Sequence, residues 1–422
     1  MFKRTVREYR VAASTLNAAP GSVAQRKPAY FWTATAISVH TLWTSAAPAM
    51  FYPIYARQFG LSAPTVAGIF AVYPVVVVIA LLLLADLPEW VGRRTTMLIG
   101  LVCSITGVAL FAVADGPSQL FVGRAFMGAG VGLSAGPASA ALVDFSAISR
   151  RHIASASNTA AQAVGLALAT LTGGALIQYA PLPLRTNYVT LLAFLVVVFA
   201  FTLRLPSDAP EAKPSRWRIR IIGVPKPIRR VFWPSAVACV SAFMLGSVFL
   251  SAGAQIAHDL VSSSNALVNG SIIALFAAVW GLASIALQRM PFRGTVLIGG
   301  VCAVISMTLL VRAGTDHSLS LFLLSTAIGG ASYGLLFLGG LGSLNAGTPD
   351  ISRGLALSSL YFCCYFMQAL TAFVLGLAIT RFGIYHALQL VCTLIALLSV
   401  VSVASFWWPL IINRPTAATP PT

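Results

Sequence analysis

The sequence predicts an all-α membrane protein whose twelve transmembrane helices form two pseudo-symmetric six-helix bundles. Three observations lead there. Hydrophobic residues make up 58% of the 422 residues and charged ones only 9%, too little polarity for a water-facing surface of this size. The apolar residues fall into runs close to the ~20 needed to cross a ~30 Å hydrocarbon core as a helix. One long polar break, residues 205–230, rich in proline, lysine and arginine, divides those runs into two sets of six.

The first set covers about 30–56, 62–84, 95–113, 118–143, 153–179 and 187–204. The second covers about 232–257, 266–288, 295–312, 319–345, 354–380 and 385–412. The chain is thereby divided into a basic tail (1–28), an N-terminal bundle (29–204), a linker (205–230), a C-terminal bundle (231–413) and a short tail (414–422). Pro48, Pro53 and Pro74 are expected to kink spans one and two.

Charge sets the orientation. Most of the 27 Lys and Arg lie in the N-terminal tail, the linker or alternate loops, at Arg93-Arg94, Arg150-Arg151, Arg289, Arg293 and Arg353. The opposite loops hold chiefly Arg57, Arg185, Arg312 and Arg381. The positive-inside rule then places both termini and the linker in the cytoplasm of a cell (inner) membrane. The net charge of +17 reads as orientation plus contact with anionic lipid on the cytoplasmic side, not as a nucleic-acid surface. Lys3, Arg4, Arg7, Arg10, Arg26 and Lys27 accompany no apolar core, so no cleavable signal is expected.

The six cysteines (Cys103, Cys239, Cys302, Cys363, Cys364 and Cys392) sit inside apolar runs without metal-ligand spacing. No nucleotide-binding loop of the GxxxxGK[ST] type is present, and no cluster of acids and histidines suggests a catalytic centre. No metal, cofactor or catalytic residue is therefore expected. A monomer is the expected state.

The stretch between spans two and three reads ADLPEWVGRR, Ala85 to Arg94. Gly92 permits a tight reversal and Arg93-Arg94 hold the turn in the cytoplasm. The stretch resembles the signature of the major facilitator superfamily, Gly, three residues, then Asp-Arg-x-Gly-Arg-Arg. Ala85, Glu89 and Trp90 fill the first Gly, Asp and Arg slots, and Gly92, Arg93 and Arg94 are identical. A faded counterpart, Gln288 to Arg293, follows span eight. The resemblance implies a secondary transporter with substrate bound at midplane between the halves.

Span four, FVGRAFMGAGVGLSAGP, resembles the family's Arg-x-x-Gln-Gly-x-Gly motif, with Met127 in place of Gln. Arg124 lies at membrane depth, where an arginine costs about 2.5–3.5 kcal/mol on insertion scales, so it must face protein, water or an anion. Two readings stand open: substrate or proton coupling, as the resemblance implies, or hydrogen bonding to carbonyls of the first helix. Gly128, Gly130, Gly132 and Gly136 let neighbours approach closely. On span five, Gly165, Ala169, Thr170, Gly173 and Gly174 resemble the antiporter motif Gly-x-x-x-Gly-Pro-x-x-Gly-Gly without its proline, which implies export.

Other candidates are read from residue type and depth. His40, near the middle of span one beside Ser38, Trp43 and Thr44, has an ordinary pKa near 6.5 and suits proton transfer, substrate contact or a packing hydrogen bond. Asp144 ends span four and joins His40 and Arg124 as a proton-coupling candidate. Asp86, Glu89, Gly92, Arg93, Arg94 and Arg150 are candidates for a conformational latch, with solvated loop charges as the plain alternative. Helical spacing groups Asn158 with Gln162 on span five. It also groups Tyr333 with Phe337 on span ten, and Tyr361, Tyr365 and Gln368 on span eleven. With His40, Trp43 and Arg124, the amides and tyrosines of these stripes are candidate substrate contacts.

No Asp or Glu falls in mid-membrane; members of the family with strong cation preference carry a membrane-embedded acid, so the resemblance implies that cationic substrates are disfavoured. The expected function is proton-coupled export of small neutral or anionic amphipathic molecules by alternating access. The alternative is a proton-coupled or facilitative importer of a small organic anion, and a membrane-embedded enzyme or receptor is remote.

Overall fold

The computed structural model describes residues 28–84, 86–145, 151–207, 224, 226–251, 265–348 and 350–412. The expected tails, most of the linker, Arg150 and Asp259 lie outside the described residues. Every described regular element is helical. Ten helices are long and apolar enough to cross a membrane: Arg93–Ala112, Pro117–Leu142, Ala156–Tyr179, Pro183–Thr202, Lys226–Leu250, Ala266–Ala286, Phe292–Thr315, Leu319–Gly347, Leu355–Phe382 and Ile384–Trp407. Two more helices fill the first two expected spans. Pro28–Ala46 continues through a 3-10 turn, Ala49–Phe51, into Tyr52–Phe59, and Ala63–Leu83 follows.

Span one breaks where its prolines demand it. Pro48 precedes the 3-10 turn and Pro53 lies in the first turn of Tyr52–Phe59, which Gly60 closes in the left-handed conformation at φ 61°. Pro74 lies inside Ala63–Leu83. The short helix Leu87–Val91 ends at Gly92, whose φ of 84° favours glycine and turns the chain directly into span three.

Packing reveals a repeat that residue identities barely show. In the first half, span one packs on spans four, five and six, span three on four and six, span two on four, and span five on six. Each of these pairings recurs six spans later in the second half. The halves meet through spans five and eight and through spans two and eleven, two pairs that the same pseudo-twofold relation exchanges.

Lipid offers no hydrophobic drive for helix association, so close backbone approach supplies dispersion contacts instead. A β-carbon on Gly128 would stand 2.7 Å from the Tyr73 carbonyl oxygen on span two. One on Gly107 would stand 2.6 Å from the Gly123 carbonyl oxygen, where spans three and four touch. Gly165 lies against the Val39 carbonyl on span one, and Gly174 would meet the Ala266 carbonyl of span eight at 2.6 Å. Gly136 is the exception, with nothing within 4 Å of its added β-carbon.

That contrast is testable. Gly165→Val drives a side chain into the span-one backbone and is expected to destabilise the bundle by about 1–3 kcal/mol. Gly136→Ala is expected to stay within about 0.5 kcal/mol of wild type. Thermal unfolding of the detergent-purified protein reads both.

Candidate functional site

Arg124 stands seven residues after Pro117, about 10 Å along the helix at 1.5 Å per residue. The side chain is 1% exposed. Its Nη1 donates to the Ser45 carbonyl at 3.0 Å, which is the helix-one hydrogen bond that the sequence allowed. The guanidinium carbon lies 4.5 Å from the Tyr73 ring centroid and 5.8 Å from that of Phe70, both on span two. Guanidinium over aromatic faces replaces part of the lost hydration. Nε makes no hydrogen bond, and among the described residues Arg124 forms no ion pair.

Close to it stands Tyr52, which the sequence reading missed. Its ring meets Phe70 edge-on at 6.5 Å, it lies within electrostatic range of Arg124, and its buried hydroxyl has no partner. The available signal was the position of Tyr52, Phe70 and Tyr73 at the depth of Arg124 on neighbouring spans.

His40 is fully buried at the junction of spans one and three. One ring nitrogen, Nδ1, lies 2.6 Å from the Ile37 carbonyl, and Nε2 lies 3.2 Å from the Ser104 hydroxyl. A carbonyl only accepts, so the neutral ring carries its proton on Nδ1 and Nε2 accepts from Ser104. His40 and Arg124 share no partner, so the structure does not bring these two of the three proton-coupling candidates together in one group.

The other first-half candidates serve the helix seams. Trp43 stacks on Phe194 of span six at 4.9 Å, and its indole N–H has no partner. Asn158 accepts a hydrogen bond from Ser38 at 2.8 Å, tying span five to span one. Gln162, one turn further, is half-buried.

In the second half the candidates form one aromatic assembly. Tyr333 lies 4.5 Å from Trp280, 5.8 Å from Phe276 and 5.9 Å from Phe243. Gly246 leaves room for it, since a β-carbon there would lie 2.8 Å from the tyrosine ring. Tyr365 meets Phe243 edge-on at 5.4 Å and Tyr361 at 6.3 Å. Gln368 contributes its backbone carbonyl, which accepts from Ser247 at 2.9 Å. Tyr73 and Tyr365 lie on spans two and eleven, one of the two pairs through which the halves meet.

At the basic end, Arg93 pairs with Asp144 and Arg94 donates to the Leu203 carbonyl. The loop is thus tied to the ends of spans four and six. Asp86 is buried, while Glu89 is exposed. Nearby, Ser358 of span eleven donates to the Leu81 carbonyl of span two at 3.4 Å, so the loop adjoins a point where the halves touch.

Two helical halves that repeat one packing plan have the architecture of a membrane transporter. The model of the Major Facilitator Superfamily matches residues 33–316, and the chain belongs to that family. Among solved structures it is similar to the human organic anion transporter MFSD10 (TETRAN), with a TM-score of 0.68 and 15% identity. The match covers 89% of this chain and 100% of that one. Comparison with curated protein sequences gives no match.

The Arg93–Asp144 pair is about half exposed, so its worth to stability is small, about 0–1 kcal/mol. Any large effect of breaking it must act through conformation. Arg93→Asp and Asp144→Arg are each expected to slow transport several-fold with little change in melting temperature, and the double swap to restore most of the rate. Equal loss in single and double variants would show that the pair itself is not the operative contact.

Proposed function

We propose that this chain is a secondary active transporter that exports small neutral or anionic amphipathic molecules in exchange for protons, by alternating access. The carrying observation is Arg124, a cation 1% exposed at membrane depth without a carboxylate partner among the described residues. An uncompensated buried charge is costly, and a transported anion is the partner that lowers that cost. The similar solved structure is named as an organic anion transporter, which agrees in charge sign with this reading.

The span-five residues support export. Gly174 and Thr170 pack on Ala266 and Gly270 of span eight at the end remote from the Arg93 loop, where an exporter of the antiporter type closes its outer side. Gln178 reinforces the contact by accepting from the Ala266 N–H at 3.1 Å. His40 serves as the proton carrier. Its Ser104 partner can rotate from donor to acceptor when Nε2 gains a proton, so uptake needs no new space. Asp144, Glu89 and Arg93 act in the conformational latch rather than on substrate. The protein sits as a monomer in the cell (inner) membrane with both termini and the 205–230 linker in the cytoplasm, its basic loops against anionic lipid. A cysteine at Ser215 is then labelled by an impermeant reagent only in opened cells.

Uptake of a labelled organic anion into inside-out vesicles tests the reading. An acidic lumen is expected to stimulate uptake, and an uncoupler to abolish the stimulation. Arg124→Lys, which keeps charge and loses the planar fork, is expected to lower uptake about tenfold or more. His40→Ala is expected to lose the gradient response while retaining counterflow exchange. Gradient-driven uptake at the wild-type rate in His40→Ala would remove histidine from the mechanism.

A further inference from the structure

We propose that Tyr52 and Arg124 together form a carboxylate subsite, and that the transported molecules carry that carboxylate on an aromatic or flat apolar body. The inference rests on the transport reading and adds its recognition chemistry. Of the guanidinium nitrogens, Nη1 is committed to the Ser45 carbonyl at 3.0 Å. The Nε–H has no partner, and among the described residues no hydrogen bond engages Nη2. These two nitrogens form one edge of the planar fork, the edge that matches the two oxygens of a carboxylate.

Tyr52 supplies a third donor. Its hydroxyl is buried without a partner, and its ring and the guanidinium lie against the same Phe70 ring, at 6.5 and 5.8 Å. Two unpartnered groups packed on one Phe70 ring each hold an N–H or O–H to donate, with no acid among the described residues to receive it, and one acceptor group with two oxygens satisfies both. A carboxylate supplies it. Phe70 and Tyr73 cover the guanidinium face, so the body attached to that carboxylate meets aromatic surface.

The position of Tyr52 also explains access. Both donors are shielded from solvent in this conformation. Tyr52 heads the short helix Tyr52–Phe59, which the 3-10 turn Ala49–Phe51 separates from the rest of span one. Displacement of that segment opens the subsite, and a bound carboxylate draws it back through the tyrosine hydroxyl.

The test reads binding, not transport, using detergent-purified full-length protein with benzoate as the probe and benzamide as its neutral isostere. Calorimetric titration at neutral pH is expected to give at least tenfold tighter binding of benzoate, a comparison that needs no variant. Tyr52→Phe, which removes only the hydroxyl oxygen, is expected to weaken benzoate about tenfold and leave benzamide unchanged. Arg124→Lys is expected to abolish the preference.

Chloride is titrated in parallel. Competition between chloride and benzoate supports the subsite. Stabilisation by chloride with benzoate inert makes it an inorganic counter-ion site and overturns the assignment. Equal benzoate affinity in wild type and Tyr52→Phe also overturns it, whatever the transport result. Conversely, selective benzoate binding without gradient-driven uptake would overturn the exporter reading and leave the subsite standing.

Discussion

A guanidinium held out of water, with no counter-charge among the described residues, is the constraint around which the first half is built. Arg124 cannot lose its proton at any working pH, so the surrounding helices must accommodate it as a cation. They do so from two directions. The Ser45 carbonyl on span one accepts one hydrogen bond, and the Tyr73 and Phe70 rings of span two face the charge. Such contacts recover only part of the hydration energy of an ion, because a neutral acceptor and two quadrupoles do not replace an anion. Gly128 and Gly132 of span four let span two lie against its backbone, which brings the Tyr73 and Phe70 rings to the guanidinium.

The two halves share a packing plan and differ in chemistry. The same helix pairings recur six spans apart, yet the first half places Arg124, His40 and Asn158 in its interior where the second places Tyr333, Phe243, Trp280 and Phe276. The spans that meet between the halves carry Tyr73 on span two and Tyr365 on span eleven. At the basic end one contact between the halves is the hydrogen bond from Ser358 to the Leu81 carbonyl at 3.4 Å.

Much of the architecture was legible in the sequence because bilayer thickness and loop charge act on composition alone. The run lengths placed the spans, and the Arg93-Arg94 loop identified the family. Gly128 and Gly165 were readable as close-approach positions, since a missing β-carbon in an apolar helix has few other uses. Gly136 was not separable from them, because a sequence shows the missing side chain but not the neighbour. The repeat was nearly invisible for a related reason: it resides in which backbones touch, and many residue combinations permit the same contacts.

The candidate site was only partly legible. Depth singled out Arg124 and His40, but helical spacing fixes a face only relative to its own helix. It did not show that His40 turns to Ser104 or Trp43 to Phe194. Tyr52 escaped because the adjoining Pro53 reads as a kink, and because a tyrosine near a helix end is ordinary in a membrane protein. Its meaning lies in the unfilled hydroxyl, a property of the assembled structure. Arg124 Nε lacks an acceptor among the described residues. The measurement that tests most directly whether a transported compound supplies that acceptor is an experimental density map of the protein bound to a compound it transports. The compound's acidic or polar acceptor group is expected within hydrogen-bond distance of Arg124 Nε. A map with the compound bound elsewhere, and Arg124 still engaged only by Ser45, Tyr73 and Phe70, would contradict it.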